Sequence, residues 1–177
     1  MIVILMGVSG VGKTTVGELL AAQLGWGFYD GDAFHPASNV DRMSRGLPLT
    51  DEDRWPWLEA LRDHIRSLSA EGRSAVVACS ALKASYREVL LDGSPDARVV
   101  HLKGSYPLIE GRLRSRRGHY FEAGLLASQF EALEEPDDVI VVDVGRTPDR
   151  VVAEIRTRLG LRHEPQGRDG SEADHAD

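Results

Sequence analysis

Residues 7–14 form a glycine-rich segment that ends in lysine and threonine. Their spacing fits the pattern G-x-x-x-x-G-K-[ST], in which glycines let the backbone wrap closely around a phosphate. Lys13 would reach the β- and γ-phosphates of a nucleoside triphosphate, and the Thr14 hydroxyl would hold a Mg²⁺ that bridges them. The predicted contacts are Gly7, Val8, Ser9, Gly10, Val11, Gly12, Lys13, Thr14 and Thr15.

Two carboxylates and a histidine, Asp30, Asp32 and His35, follow a short apolar segment. Residues two apart on an extended strand point the same way, so both carboxylates are expected to face one cleft. Phosphoryl transfer to an alcohol needs a group that orients the hydroxyl and accepts its proton, and a metal's water shell needs anionic partners. We assign Asp32 to the hydroxyl and Asp30 to the Mg²⁺ waters. His35 is expected near the same cleft, either as a substrate contact or as a hydrogen-bonded structural residue.

Arginines occur at two further places where they could bind anions. Arg54 could hold a substrate carboxylate through two parallel hydrogen bonds, or it could pair in solvent with Asp51 or Glu52. Four arginines within residues 112–117 precede a glycine. They indicate either a solvated helical face or a lid that closes over ATP and neutralises developing charge.

Strand and helix patterns alternate along the chain, and these elements must position the reactive residues. Strands are predicted over residues 1–6, 27–30, 75–79, 98–102 and 139–142. Helices are predicted over residues 14–24, 38–45, 50–70, 83–91, 106–116 and 148–159. The alternation predicts an α/β fold with a parallel sheet, helices on both faces, and ligands beyond the carboxyl ends of the strands.

Length and charge limit the possible functions. The 177 residues suffice for one domain, expected over residues 1–160, followed by a disordered acidic tail over 161–177. A net charge of -7 argues against nucleic acid or an acidic membrane as the main partner, and no stretch is long and apolar enough to span a bilayer. The start does not resemble a signal peptide, so a cytoplasmic location is expected. The single cysteine, Cys79, excludes an intrachain disulfide and is expected to be buried.

Several segments together resemble the bacterial gluconate kinase (gluconokinase) family, over about residues 2–159. The phosphate loop is shared with many families, whereas the segments at 79–83 and 118–121 are far more specific to this family. The segments are Gly7-Val-Ser-Gly-x-Gly-Lys13, Asp30-Gly-Asp-x-x-His-Pro36, Pro48-Leu-Thr-Asp-Glu-Asp-Arg54, Cys79-Ser-Ala-Leu-Lys83, Arg116-Arg-Gly-His-Tyr-Phe121 and Ser128-Gln-Phe-Glu131.

The resemblance implies ATP-dependent phosphorylation of D-gluconate on its 6-hydroxyl, in a protein that is often a homodimer. It implies a three-layer P-loop fold with a five-stranded parallel sheet of order 2-3-1-4-5 and a short helical lid at about residues 112–130. By analogy with the related shikimate kinases, Arg112 would lie against the adenine, Gly145 to Pro148 would border it, and Arg116 would touch the phosphates and stabilise their charge. The sugar-acid pocket would be lined by His35, Arg54, Ser80, Ala81 and Lys83, with Gln129 as a further contact.

Two other functions remain open on the residues alone. The first is a P-loop kinase for another small alcohol, such as shikimate or a nucleoside monophosphate, although the third strand ends in Ser80-Ala-Leu rather than in the glycine-rich turn of shikimate kinases. The second is a nucleotide-dependent switch that binds a partner. The sequence contains neither the D-x-x-G nor the N-K-x-D segment that GTPase switches need.

Overall fold

Five parallel strands form one sheet in the computed structural model, which describes residues 1–45, 47–115 and 123–161. The strands are β1 Ile2–Met6, β2 Gly27–Asp30, β3 Ala75–Ala78, β4 Ala97–Lys103 and β5 Ile140–Asp143. Their order across the sheet is β2-β3-β1-β4-β5, and each neighbouring pair is parallel. This confirms the predicted α/β class and strand order.

Seven α-helices occur within the described ranges. They are α1 Lys13–Leu24, α2 Ala37–Ser44, α3 Asp51–Ala70, α4 Ala84–Leu91, α5 Tyr106–Ser115, α6 Ala123–Ala132 and α7 Pro148–Arg158. A capping box starts α3, because the Thr50 hydroxyl accepts from the Asp53 N–H and the Asp53 carboxylate accepts from the Thr50 N–H. None of these helices is long and apolar enough to cross a membrane.

The central strand β1 is completely buried along its whole length. Val3 and Leu5 pack in one apolar cluster with side chains of α1 and α7, while Ile2 and Ile4 pack in a second cluster with α3 and α4. Successive residues of a strand face opposite sides of the sheet, so a wholly apolar strand is expected where helices cover both faces. The three-layer arrangement follows from this pattern.

The predicted and observed elements differ mainly at α6, a helix that the apolar patterns do not include. Leu126 is fully buried in it, whereas Leu125 is 52% exposed. Leu126 and the partly buried Phe130, four residues on, both pack in the apolar cluster of β1 and α1, so α6 does turn an apolar face to the core. The other elements agree with the predicted ranges to within about two residues at each end.

The last described residues close the end of α7. Gly160 adopts a left-handed conformation with φ 69°, and the Leu161 N–H donates to the Arg156 carbonyl at 2.8 Å. The predicted acidic tail lies outside the described residues from 162 onward, so its boundary stays a prediction.

Candidate active site

The glycine-rich loop joins the carboxyl end of β1 to the first turn of α1, as predicted. Gly10 has φ 81°, and a Cβ atom there would lie 2.6 Å from the Leu113 side chain of α5. Gly12 has φ 105° and serves as the N-cap of α1 without a side-chain cap bond. The first-turn N–H groups of α1 are therefore available to an anion, and the helix dipole favours one there.

Lys13 begins α1, and its amine lies over the loop. The Nζ atom donates to the Gly7 carbonyl at 2.8 Å and to the Val8 carbonyl at 3.1 Å. These contacts keep the charge beside the phosphate cradle, and the flexible side chain can carry it toward a bound phosphate.

A cavity of about 190 Å³ brings the loop and the two carboxylates together. It is lined by Ser9, Gly10, Gly12, Lys13, Thr14, Thr15, Asp30, Asp32 and Ala78. The sheet explains this juxtaposition: β3 pairs with both β1 and β2, so the ends of these strands meet at one edge. Mg²⁺ prefers oxygen ligands such as hydroxyls and carboxylates, so the presence of Thr14 and Asp30 in one cavity fits the predicted metal site.

The two carboxylates share the cavity for a different reason than the sequence suggested. Residues 31–34 form a turn of 3-10 helix rather than an extended strand, and the Asp30 carboxylate caps it by accepting from the Asp32 N–H at 3.0 Å. Asp30 ends β2, whereas the exposed Asp32 lies in the turn. Side-chain capping by aspartate folds the segment locally and competes with extension of the strand.

A second cavity, of about 380 Å³, lies on the other side of the loop. Its walls include Val11, Arg112, Ser115, Val144 and Pro148. The Arg112 guanidinium donates to the Val144 carbonyl at 2.5 Å and to the Val11 carbonyl at 3.3 Å. These bonds hold Arg112 at the wall that Pro148 also lines; the contact of both residues with the adenine, which the resemblance implies, stays a prediction.

His35 lies against α3, directly after the 3-10 turn that contains Asp32. Its ring stacks on the buried Trp57 indole with the centroids 4.2 Å apart and the planes 16° apart. The Trp57 Nε1 donates to the Gly31 carbonyl at 2.7 Å, so the indole is itself fixed. Burial lowers the pKa of the His35 imidazole; the Asp32 carboxylate acts in the opposite direction, and the Arg54 charge lowers it further. The charges of Asp32 and Arg54 thus both act on the His35 ring.

Lys83 has a partner that the sequence did not suggest. Its amine donates to both carboxylate oxygens of Asp51, at 2.9 and 2.6 Å, and the Tyr86 hydroxyl donates to the same carboxylate. These hydrogen bonds hold the pKa of Asp51 below its usual value, and burial together with Asp51 raises the pKa of Tyr86. The sequence offers Asp51 only as a possible partner of Arg54, and its separation of 32 positions from Lys83 carries no signal of the pairing.

The segment after β3 contacts the start of the phosphate loop. The Gly7 N–H donates to the Ser80 carbonyl at 3.2 Å, and Cys79 is buried as predicted. Ala81 is completely buried with φ 45°, and its carbonyl accepts from the Arg87 guanidinium at 3.0 Å. Ser80, by contrast, is partly exposed.

Gln129 on α6 contacts the loop itself. Its side-chain oxygen accepts from the Ser9 N–H at 2.6 Å. Together with Leu113 against Gly10, this bond brings α5 and α6 into direct contact with two successive loop residues. Arg116, the predicted phosphate contact, lies outside the described residues, as does the central part of the predicted lid.

Comparison with known proteins agrees with this geometry. The profile of the shikimate kinase family matches residues 9–159. The thermoresistant gluconokinase of Escherichia coli strain K12 is 44% identical over 156 residues, covering 86% of this chain and 89% of that protein. The gluconokinase of Gluconobacter oxydans strain 621H is 48% identical over 155 residues, covering 86% and 87%. The crystal structure of a gluconokinase from Sinorhizobium meliloti 1021 aligns with a TM-score of 0.82 and 41% identity, covering 92% of this chain and 93% of that one.

Proposed function

This chain belongs to the gluconokinase family of phosphotransferases, and from that membership we propose that it phosphorylates D-gluconate on its 6-hydroxyl with ATP. The observation that carries the proposal is the cavity in which Lys13 and Thr14 face Asp30 and Asp32. A phosphate cradle opposite a carboxylate supplies both halves of a kinase site, the donor and the acceptor.

On the donor side, the loop N–H groups and the start of α1 receive the β- and γ-phosphates, and Arg112 and Pro148 border the base. Lys13 stabilises the negative charge on the transferring phosphoryl group, with Arg116 as a second cation by family resemblance. When bound, Mg²⁺ neutralises phosphate charge; Thr14 would hold it directly and Asp30 through water.

On the acceptor side, Asp32 orients the 6-hydroxyl in line with the γ-phosphorus. The hydroxyl oxygen forms a bond to that phosphorus, the bond from the phosphorus to the β,γ-bridging oxygen breaks, and ADP leaves. The hydroxyl proton passes to the Asp32 carboxylate, which is exposed within the cavity. The step requires that the hydroxyl of the acceptor reach the γ-phosphate held by the loop.

The far end of gluconate carries a carboxylate, and Arg54 is our proposed partner for it. Arg54 is partly buried and its charge acts on His35, and a guanidinium is suited to bind a carboxylate through charge-assisted hydrogen bonds. The remaining predicted contacts are Ser80, Ala81, Lys83 and Gln129. Of these, Lys83 would act together with Asp51, and Ala81 would contribute through its backbone.

We further propose Mg²⁺ dependence, a homodimer and a cytoplasmic location. The oxygen donors of the first cavity support the metal, and the family resemblance supports the dimer. A need for ATP supports the location, since ATP is available in the cytoplasm.

An assay of ATP consumption with different acceptors tests the proposed function. We expect gluconate to exceed glucose, shikimate and nucleoside monophosphates by at least about 100-fold in kcat/KM, because a site built for a polar group rejects analogues that lack it. Shikimate is the most informative competitor, because the shikimate kinase profile matches the chain. The ³¹P spectrum of the product should show a phosphate ester on the primary alcohol. Faster turnover of shikimate would contradict the proposal.

A further inference from the structure

Asn39 on α2 is 2% exposed and has no part in the proposed chemistry so far. Its side-chain nitrogen lies 2.7 Å from the Asp53 carbonyl oxygen and 3.3 Å from the Nδ1 atom of His35. A buried amide with these two partners determines which of the contacting atoms donates a hydrogen and which accepts one.

The first contact decides the orientation of the amide. A carbonyl oxygen can only accept, so the Asn39 atom facing Asp53 must be the NH₂ nitrogen. The second hydrogen of that nitrogen then points to His35, whose Nδ1 must accept and cannot itself carry a hydrogen. A neutral imidazole has one N–H, and in His35 it is therefore on Nε2.

The surroundings keep the ring in that position. Trp57 stacks on one face of the imidazole, and the capping box that joins Thr50 to Asp53 fixes the turn that carries the Asp53 carbonyl. The charged groups that act on the ring are Asp32 in the 3-10 turn and Arg54 on α3. Asp32 favours the doubly protonated ring, whereas Arg54 and the amide donor of Asn39 oppose it.

We propose that Asn39 is a positioning residue that holds His35 as the neutral Nε2–H tautomer, so that His35 presents one hydrogen-bond donor to an oxygen of the acceptor substrate. This rests on the proposed function, in which His35 contacts gluconate. It gives the buried amide a role in acceptor binding, exerted through the imidazole.

The tautomer can be measured directly in the resting protein. In a ¹H–¹⁵N correlation spectrum of the histidine rings, the signals of His35 are identified by their loss in His35→Asn. We expect the wild-type ring to be neutral with hydrogen on Nε2 at pH 7.5. A ring with hydrogen on Nδ1, or a doubly protonated ring, would overturn the proposal without any further variant.

Asn39→Asp should reverse the arrangement, because a carboxylate accepts a hydrogen from Nδ1 and stabilises the charged ring. We expect His35 in this variant to titrate at a higher pH than in the wild type and to carry hydrogen on Nδ1 when neutral. Ser38→Ala, at the exposed neighbouring position on α2, should leave both properties unchanged. An unchanged tautomer in Asn39→Asp would contradict the assignment.

The kinetic consequence is a pH dependence that a purely structural role would not produce. In Asn39→Asp the neutral ring has no donor on Nε2, so the gluconate KM should rise about ten-fold between pH 6 and 9, and the ATP KM should not. The wild-type gluconate KM should stay flat between pH 7 and 9. Equal pH profiles for the two proteins would refute the positioning role. The NMR spectrum tests Asn39 and the acceptor assay tests the proposed function, so a failure of either is seen separately.

Discussion

At the scale of single residues, the role proposed for Asp32 is the most demanding, and Asp32 lines the same cavity as Lys13 and Thr14. Asp32→Asn keeps the shape of the side chain but removes its ability to accept the hydroxyl proton. We expect kcat to fall by about 10² to 10⁴ while ATP affinity stays within a few-fold, since the loop is untouched. Steady-state kinetics and ATP titration measure the two effects. Asp41→Asn, exposed on α2, is the control, and near-normal turnover in Asp32→Asn would exclude the proposed role.

Arg54 is the residue on which acceptor affinity should depend. Loss of a charge-assisted hydrogen bond costs about 1.5–3 kcal/mol, so Arg54→Ala should raise the gluconate KM by about 10- to 100-fold and leave the ATP KM nearly unchanged. Arg62→Ala on the same helix serves as the control, because Arg62 pairs with its own neighbour Asp63. If ATP binding suffered instead, Arg54 would belong to the donor side.

At the scale of elements, the contact between the loop and α5 makes Gly10 sensitive to substitution. Gly10→Ala would force a left-handed φ of 81° on alanine and place its Cβ 2.6 Å from Leu113. We expect the free energy of unfolding to fall by about 1–3 kcal/mol and the ATP KM to rise at least about ten-fold.

Gly111 offers the matched control, because a Cβ there meets open space within α5. Gly111→Ala should raise the free energy of unfolding by about 0.5–1 kcal/mol, since alanine loses less backbone entropy than glycine in a helix. Chemical denaturation compares the two variants. Equal effects of both substitutions would show that the loop does not need glycine at position 10.

The link between α3 and α4 through Asp51 and Lys83 predicts a pH-dependent stability. The folded-state pKa of Asp51 is lowered, so its contribution is complete above the ordinary carboxyl pKa of about 3.9 and is lost as the pH falls through the lowered value. Asp51→Asn should therefore be less stable than wild type at pH 7, and the difference should shrink toward pH 3. Urea midpoints at several pH values measure this. Asp63→Asn is the exposed control. If the stability difference between wild type and Asp51→Asn stayed constant with pH, the ion pair would be ruled out as its cause.

Most elements could be predicted because local patterns of the sequence mark them. The apolar run of β1 and the capped start of α3 are examples. The partner of Lys83 could not be predicted in this way, because it is set by how α3 packs beside α4. The same holds for Gln129 and Ser9, which are 120 positions apart in the chain.

At the scale of the whole molecule, the sheet order determines where the site forms. The strands that end in the loop and in Asp30 both flank β3, so pattern and topology together predict that phosphate cradle and carboxylates meet. The 3-10 turn after β2 was the part that pattern alone missed, since it depends on the Asp30 side chain bonding its own backbone neighbour.

The extent of the domain can be tested by shortening the chain. The last described contact is the Leu161 N–H on the Arg156 carbonyl, at the end of α7. A protein that ends at residue 161 should keep the wild-type unfolding midpoint and the wild-type kcat/KM for both substrates. Denaturation and the acceptor assay check this, and a loss in either would assign a role to residues 162–177.

Cys79 offers a way to observe the opening of the molecule without adding a probe. It is the sole thiol of the chain, and it lies buried where β3 meets the segment that touches the phosphate loop. Burial raises its pKa to about 12, and only the thiolate attacks thiol reagents at an appreciable rate, so the native protein should resist labelling. The labelling rate therefore reports how often the core beneath the site opens, and slower labelling with ATP or gluconate present would measure how strongly each ligand closes it.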